Sequence, residues 1–205
     1  GFLILLPAVF FFFEDLSSLP LQSRILASLL QSVTMRTAGF NTVELSKMSG
    51  PSQAIQIVLM LIGGSPGSTA GGIKTTTFVV LLANFVATIF QKEDAQMFGR
   101  RMEESAVKTA ATIFFMYAAL FFTGAVILGV YERLPLSACL YETASAVGTV
   151  GVTLGITPKL HLLSQLVLII LMFLGRVGAL TLIFAAISTR THSFAKLPQE
   201  KIAVG

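Results

Sequence analysis

Two tetrapeptides in the sequence have the residue types needed to bind a monovalent cation through backbone carbonyl oxygens. They are Thr37-Ala38-Gly39-Phe40 and Thr149-Val150-Gly151-Val152, and equivalent positions lie 112 residues apart, from 37 to 149. Glycine permits backbone angles that turn neighbouring carbonyl groups towards one axis, where they can replace the hydration shell of an ion. Either tetrapeptide alone would favour a packing contact between helices, whereas the repetition favours an ion filter. The predicted ligands are the carbonyl groups of Thr37, Ala38, Thr149 and Val150.

The composition indicates that these tetrapeptides belong to a membrane protein. Of the 205 residues, 54% are hydrophobic and 12% are charged, and the mean hydropathy is +0.83. A soluble domain has about 25% charged residues, so the charged share is too small to coat a globule of this size. The composition therefore argues against a soluble enzyme, a disordered tail and a nucleic-acid-binding protein. The single cysteine, Cys139, rules out a disulfide framework and a cysteine-based metal cluster.

Apolar segments of two lengths alternate along the chain. Segments 106–130 and 164–189 are long enough to cross a bilayer, which takes about 20 apolar residues. Segment 1–13 is apolar from its first residue and is interpreted as part of a spanning helix, with natural sequence missing upstream. Segments 20–33 and 136–147 are shorter, and lengths of about 10–14 residues are typical of re-entrant helices. Such helices enter and leave the membrane on the same face.

The apolar region 51–91 is too long for one crossing and is interrupted by a glycine-rich segment. Residues 63–77 read GGSPGSTAGGIKTTT, a composition that ends a helix without supplying the charges of an external loop. We interpret the region as one crossing made of two half-helices, 51–62 and about 73–90. The small hydroxyl side chains can satisfy backbone groups that the break leaves free. The segment is therefore predicted to lie across an ion path as a gate.

The predicted gate comprises this loop, one lysine and one distant arginine. Its residues are Gly63, Gly64, Ser65, Pro66, Gly67, Ser68, Thr69, Ala70, Gly71, Gly72, Lys74 and Arg176. A positive charge on Lys74 at membrane depth obstructs a cation unless it is paired or retracted. Arg176 lies in the middle of the last apolar segment, where an arginine costs at least about 2.5–3.5 kcal/mol to insert. It is interpreted as a contact to the loop, and a structural brace on helix-end carbonyls is the alternative.

Three other polar residues stand close to the predicted filter or its flanking loops. Arg36 is interpreted as a support that bonds carbonyl groups behind the filter, and interference with cation entry is the alternative. Glu142, inside the second short helix, is interpreted as a buried hydrogen-bonded brace, and a direct cation ligand is the alternative. His161 is interpreted as an exposed loop residue only.

Together these segments predict an all-α polytopic membrane protein, built of helix–re-entrant pore loop–helix repeats with a broken pore-lining helix. The first repeat covers 1–91, a cytoplasmic connector 92–105, the second repeat 106–190 and a cytoplasmic tail 191–205. The connection between the repeats and the tail hold seven Lys and Arg residues, against four in the loops around the short helices. This excess of positive charge places the connector and the tail in the cytoplasm.

Three motifs resemble the Trk/Ktr/HKT superfamily of potassium transporters. They are TAGFN at 37–41, GGSPGSTAGGIKTT at 63–76 and ASAVGTVGVT at 144–153, and the chain is most similar to the Ktr-type membrane subunit of bacteria. The resemblance implies four helix–pore-loop–helix repeats around one path, of which this chain supplies the third and fourth. It also implies that Gly39 and Gly151 are filter glycines and that the Gly-rich loop is an intramembrane gate.

The resemblance further implies K⁺ uptake across the cytoplasmic membrane of a bacterium, with Na⁺ either co-transported or modulating. It implies a homodimer in the lipid bilayer, a cytosolic nucleotide-binding regulatory subunit, and completion of the pore by N-terminal repeats of the same chain. We expect no covalently bound cofactor and no nucleic-acid partner. Neither tetrapeptide has the full TVGYG sequence of potassium channels, so looser discrimination between K⁺ and Na⁺ is expected.

Two other classes of function stay open on the sequence. A membrane-embedded enzyme or phosphate-binding protein would hold a phosphate in the Gly-rich loop. No general base is predicted at membrane depth for such an enzyme, and Ile73 separates Gly72 from Lys74 where a nucleotide-binding P-loop has them adjacent. A structural subunit would carry pore loops without function. Substitution of Gly39 or Gly151 separates these classes, because only an ion conduit would lose selectivity.

Overall fold

The computed structural model describes residues 1–92, 94–97 and 99–178. Within them the chain forms seven α-helices, in agreement with an all-α fold. Their bounds are α1 Phe2–Glu14, α2 Leu21–Thr34, α3 Gly50–Leu61, α4 Thr75–Ile89, α5 Glu104–Glu132, α6 Leu136–Val147 and α7 Leu162–Val177. A small antiparallel hairpin, which the sequence did not predict, lies in the connector and consists of β1 Gln96–Met97 and β2 Arg100–Arg101.

The helices follow the same order twice. In each half a helix is followed by a short helix, an extended segment, a 3₁₀ turn and another helix, from α1 to α3 and from α5 to α7. The 3₁₀ turns are Leu45–Lys47 and Thr157–Lys159, and the next helices begin at Gly50 and Leu162. Both features therefore keep the offset of 112 residues that separates the two tetrapeptides.

Helix α6 lies at the centre of the described structure, because α3, α5 and α7 all pack against it. Every residue from 141 to 147 is buried. Two glycines bring the neighbouring helices close: a Cβ on Gly124 of α5 would lie 3.2 Å from Thr143 Cγ2, and one on Gly175 of α7 would overlap the Val147 carbonyl. Close approach through small residues is typical of helix packing in membranes.

Among the described helices, α5 alone is long and apolar enough to cross a membrane by itself. Its 29 residues correspond to roughly 44 Å of helix. Helices α1, α3, α4 and α7 are apolar but have 12 to 16 residues. Large aromatic side chains are exposed on the outer surface; for example, Phe2 is 75% exposed and Phe115 is 72% exposed. An apolar exterior of this kind suits contact with lipid.

The last described helix ends earlier than the sequence predicts. One continuous helix was expected over 164–189, but α7 ends at Val177, and Gly178 has a φ of +84° and a ψ of +107°. Glycine adopts such angles at little steric cost, and they do not continue a helix. The predicted end of the second repeat and the predicted tail, which together make up residues 179–205, lie outside the described residues.

Candidate functional site

The two predicted filter segments have the same unusual backbone. Thr37 and Gly39 have φ angles of +73° and +78°, and Thr149 and Gly151, at the equivalent positions, have +52° and +89°. The residue between each pair keeps a negative φ. An ordinary strand points successive side chains and carbonyls to opposite faces, whereas a φ of alternating sign rotates every second peptide and turns successive carbonyls to one side. Positive φ at threonine is strained, and strain of this kind clusters at functional sites.

The N–H groups of these segments turn back towards the short helices. Ala38 and Gly39 both donate to the Thr34 carbonyl, at 3.1 and 3.3 Å, and Thr149 and Val150 donate to carbonyls in the last turn of α6. The predicted ligand carbonyls accept no hydrogen bond from any other described residue, and they are those of Thr37, Ala38, Thr149 and Val150. Such carbonyls are free to coordinate a cation.

The two segments lie directly against each other. Thr37 Oγ1 donates to the Gly148 carbonyl across 3.4 Å. A Cβ on Gly39 would lie only 2.5 Å from the Val150 carbonyl oxygen. The structure therefore brings the predicted filter residues of both repeats into one cluster. Phe40 differs from Val152, its counterpart in the second segment, because Phe40 is 75% exposed while Val152 is buried.

Glu142 holds the chain that leaves the second filter segment. Its carboxylate accepts hydrogen bonds from Thr153 Oγ1 at 2.5 Å, from the Leu154 N–H at 3.0 Å and from Thr157 Oγ1 at 2.7 Å. The residue is 4% exposed. Hydrogen bonds to an ionised acceptor are stronger than neutral ones, and these three engage both carboxylate oxygens. The geometry agrees with the predicted brace rather than with a direct ion ligand.

The Gly-rich loop is closed at its base. Gly63 N donates to the Ile73 carbonyl at 2.8 Å, and Ile73 N donates to the Leu61 carbonyl at 3.0 Å. Ile62 and Ile73 form a parallel β-bridge. The break predicted between two half-helices is therefore present, between α3 and α4, and residues 64–72 project from a fixed base.

Lys74 stabilises the loop from within. Its Nζ donates to the carbonyls of Ser68 and Ala70, at 3.1 and 2.6 Å. A phosphate-binding loop has the opposite polarity, because its N–H groups point at the anion. The carbonyls of this loop point at a cation, so the geometry argues against the phosphate-binding alternative.

The loop contacts the second predicted filter segment and the residue that precedes each of the two segments. Arg36 Nη2, just before the first segment, donates to the Gly63 carbonyl at 3.0 Å, where the loop begins. Gly71 and Gly72, where the loop returns, lie against Thr149 of the second segment and against Gly148 just before it. Arg36 thus bonds a carbonyl group, as its supporting role predicted, and that carbonyl belongs to the loop.

Arg176 lies in the last turn of α7, across a cavity of about 230 Å³ from the loop. On the loop side this cavity is lined by Ala70, Gly72 and Lys74. Arg176 and the loop are both described, and no hydrogen bond joins them. Its contact to the loop therefore stays a prediction.

The comparison with protein families decides what kind of protein carries this site. The model of the TrkH family, described as a cation transport protein, matches residues 5–197, which is nearly the whole chain. The chain belongs to the TrkH family. This family consists of cation transport proteins and not of enzymes. The membership of the chain in this family confirms the resemblance drawn from the three motifs.

Curated relatives of this TrkH-family chain are potassium uptake proteins. The potassium/sodium uptake protein NtpJ of Enterococcus hirae is 39% identical over 188 residues, which cover 89% of the chain and 42% of NtpJ. The Ktr system potassium uptake protein B of Bacillus subtilis is 36% identical over 187 residues, which cover 91% of the chain and 40% of that protein. The chain spans about two fifths of the length of these relatives.

A solved structure has the same fold. The crystal structure of the potassium transporter TrkH from Vibrio parahaemolyticus matches with a TM-score of 0.75 and 22% identity, over 90% of this chain and 42% of that one. The likeness confirms the predicted all-α membrane fold for this TrkH-family chain.

The sequence analysis missed a carboxylate clamp that each half of this TrkH-family chain carries. Asp15, after α1, accepts a hydrogen bond from Ser49 N at 2.7 Å, and Glu132, at the end of α5, accepts one from His161 N at 2.8 Å. Ser49 and His161 are the N-caps of α3 and α7, again 112 residues apart, from 49 to 161. His161 is exposed as expected, and its backbone N–H, rather than its ring, caps α7 through this clamp. An acidic residue ending an apolar helix was the signal available in the sequence.

Proposed function

We propose that the protein takes up K⁺ across the cytoplasmic membrane of a bacterium, through a path lined by backbone carbonyl groups. The observation that carries this proposal is the matched alternation of φ in two segments that touch each other. Two N–H groups of each segment donate to carbonyls of the short helices, and the four predicted ligand carbonyls are available to the ion. Membership of a cation transport family and the names of two relatives support K⁺ as that ion.

Na⁺ takes part in the proposed transport, either moving with K⁺ or modulating it. NtpJ is named a potassium/sodium uptake protein, and neither segment of this chain has the full TVGYG filter sequence. Fewer strong carbonyl sites give looser discrimination between the two ions. The membrane potential drives uptake without ATP, because an inward-moving charge gains about 2.3 kcal/mol per 100 mV.

The Gly-rich loop, with Lys74 and Arg176, forms the gate of the proposed path. Support comes from the position of the loop. Its Gly63 is bonded to Arg36, just before the first filter segment, and its Gly71 lies against Thr149 of the second. Because its base is closed by backbone hydrogen bonds, the loop can change conformation without unfolding α3 or α4. Arg176, across the cavity, restrains the loop in its closed position.

Further segments and partners complete the proposed transporter. This chain spans 42% and 40% of two relatives, so repeats beyond the two described here close the path. We propose that two copies associate in the bilayer, and that a cytosolic nucleotide-binding subunit regulates the gate. The name of the B protein as part of a Ktr system supports such a regulatory subunit.

Ion uptake by K⁺-starved bacteria without their own K⁺ uptake systems tests this function. The complete gene is expressed with the natural sequence, with Gly151→Ser, with residues 66–70 deleted, or with Phe115→Ala as a control at a bare position of α5. We expect Gly151→Ser to reduce the preference for K⁺ over Na⁺, and the deletion to speed uptake. The control should change neither. If the first two variants transport like the natural sequence, the segments are packing elements and the structural-subunit alternative stands.

A further inference from the structure

The returning limb of the loop, residues 71–72, packs on the start of the second filter segment. A Cβ on Gly71 would lie 2.8 Å from Thr149 Cγ2 and 3.0 Å from Thr149 Cβ, and it would overlap Thr149 Oγ1. Side-chain carbons in proteins do not approach each other this closely. Glycine is therefore the only residue that fits this contact without a shift of the filter segment.

The neighbouring glycines extend this contact through backbone atoms alone. A Cβ on Gly72 would lie 3.5 Å from Gly148 Cα and 3.1 Å from the Leu61 carbonyl, and one on Gly148 would lie 3.1 Å from the carbonyl carbon of Met60. The end of α3, the returning limb and the start of the filter segment thus touch without side chains between them. Close-packed atoms transmit a displacement, so movement of the limb reaches the filter directly.

The contact falls on a strained residue. Thr149 has a φ of +52°, and a left-handed backbone costs an L-residue about 1–2 kcal/mol. Its buried hydroxyl has no hydrogen-bond partner among the described residues. Packing against Gly71, rather than a polar bond, therefore holds this side chain in place. Strained backbone persists only where the surroundings impose it.

We propose that the returning limb sets the ion selectivity of the second filter segment, while the rest of the loop opens and closes the path. This inference rests on the proposed function. Gly71 is a positioning residue, which acts through Thr149, whose carbonyl is a proposed ion ligand. The contact between Gly71 and Thr149 persists while the rest of the loop moves aside, so it holds the backbone of Thr149 in the filter that ions pass. The first filter segment has a different connection to the loop, namely the hydrogen bond from the side chain of Arg36, the residue before the segment, to Gly63.

The ratio of K⁺ to Na⁺ uptake at limiting ion concentrations tests the inference, because this ratio does not depend on protein abundance. We expect Gly71→Ala, in the complete gene, to lower the ratio about 5- to 30-fold, the equivalent of the strain at Thr149. Gly64→Ala is the matched control, because a Cβ there crowds Ser68 and Ala70 inside the loop and does not reach the filter. We expect this control to change the rate of uptake but not the ratio.

A second substitution at the contact should restore the ratio. Thr149→Ser leaves one γ atom, which can turn away from the methyl group that Gly71→Ala introduces, so the double variant should return to within about twofold of Thr149→Ser alone. If Gly71→Ala fails to reach the membrane, Thr149→Ser alone loosens the same contact and should lower the ratio by a smaller factor.

Four outcomes would overturn the inference or its basis, and they are distinguishable. The inference is wrong if Gly71→Ala changes the rate but not the ratio, or if Gly64→Ala lowers the ratio equally. It is also wrong if Gly71→Ala is absent from the membrane and Thr149→Ser leaves the ratio unchanged. Gly151→Ser, measured in parallel, reports on the filter itself: an unchanged ratio there contradicts the proposed function rather than this contact.

Discussion

The two short helices, α2 and α6, have opposite surroundings. Helix α6 is enclosed by α3, α5 and α7, whereas α2 packs mainly against α1. The buried residues of α2 are all polar, namely Ser28, Gln31, Ser32 and Thr34. Its large apolar side chains face outwards, with Leu21 65% and Leu26 69% exposed. The described structure therefore encloses α6 and leaves α2 with an exposed apolar face. Such a face suits contact with lipid or with further protein, but not with water.

The two halves also brace their filter segments differently. In the second half Glu142 makes three hydrogen bonds to the chain after the filter. The equivalent residue of the first half, 112 positions earlier, is Leu30, which is 37% exposed. There the brace is a single bond from Thr34 Oγ1 to the Phe40 carbonyl at 2.6 Å. The second segment is thus held more firmly than the first.

The largest effect is expected from alanine at Gly39 and Gly151, the glycines of the two proposed filter segments. Both have positive φ, which costs alanine about 1–2 kcal/mol. A Cβ on Gly39 would also press on the Val150 carbonyl, whereas one on Gly151 meets nothing within 4 Å. We expect Gly39→Ala to abolish K⁺-selective uptake, and Gly151→Ala to lower the K⁺ to Na⁺ ratio about tenfold. Equal losses in the two variants would mean that the contact between the segments does not matter for transport.

A smaller effect is expected from removal of the carboxylate brace. Glu142→Gln leaves one acceptor oxygen for three donors, and a hydrogen bond to a charged group contributes about 1.5–3 kcal/mol. We expect a lower melting temperature of the purified protein and a lower K⁺ to Na⁺ ratio. Leu30→Ala, at the equivalent position of the first half, should change stability by less than about 0.5 kcal/mol, because it removes no hydrogen bond. If Glu142 does not act as a brace, the two variants will have the same melting temperature and the same K⁺ to Na⁺ ratio.

The single brace of the first half should matter less again. Thr34→Val keeps the shape of the side chain but removes the hydrogen bond to Phe40, and a neutral bond contributes about 0.5–1.5 kcal/mol. We expect a shift of the K⁺ to Na⁺ ratio in the same direction as for Glu142→Gln, but smaller. The same uptake assay measures both variants. A larger shift for Thr34→Val would reverse the comparison between the two halves.

The smallest effect is expected at the outer ends of the helices. The side chains of Lys47, paired with Glu44, and of His161, paired with Glu132, are 77% and 78% exposed. The exposed ion pair of Lys47 contributes about 0–1 kcal/mol, and the backbone N–H of residue 161, which donates to Glu132, survives substitution. We therefore expect Lys47→Ala and His161→Ala to leave uptake and selectivity unchanged. A loss of uptake in His161→Ala alone would show that the carboxylate clamp depends on the ring.

Features that depend on local composition could be predicted from the sequence. The half-helices expected over 51–62 and 73–90 are α3 and α4 within two residues at each end, because apolar length and a glycine-rich break are local signals. The end of α7 just before Gly178 was missed, because glycines such as Gly175 and Gly178 in an apolar run also fit a continuous helix. Glycine in such a run gives no sign of its φ angle.

Contacts between distant parts of the chain could not be predicted in the same way. The Tyr141 hydroxyl donates to Gln56 Oε1 at 2.7 Å in the buried centre, 85 residues away in sequence. Glu142 was expected to be a brace, but its donors became known only from the path of the chain after the filter. The packing of Gly71 on Thr149 depends on the fold of both halves together. Sequence patterns predict that a glycine is special but not which atom it must avoid.

The closed base of the loop has a consequence for the timing of transport. Hydrogen bonds among Leu61, Gly63 and Ile73 hold the two ends together, so residues 65–70 can move while α3 and α4 stay still. Loop motions take nanoseconds to microseconds, whereas collective helix and domain motions take microseconds to milliseconds. The proposed gate would therefore open in brief, frequent intervals. The rate of the proposed uptake would follow the fraction of time for which the loop is open, and a regulator would need only to change that fraction.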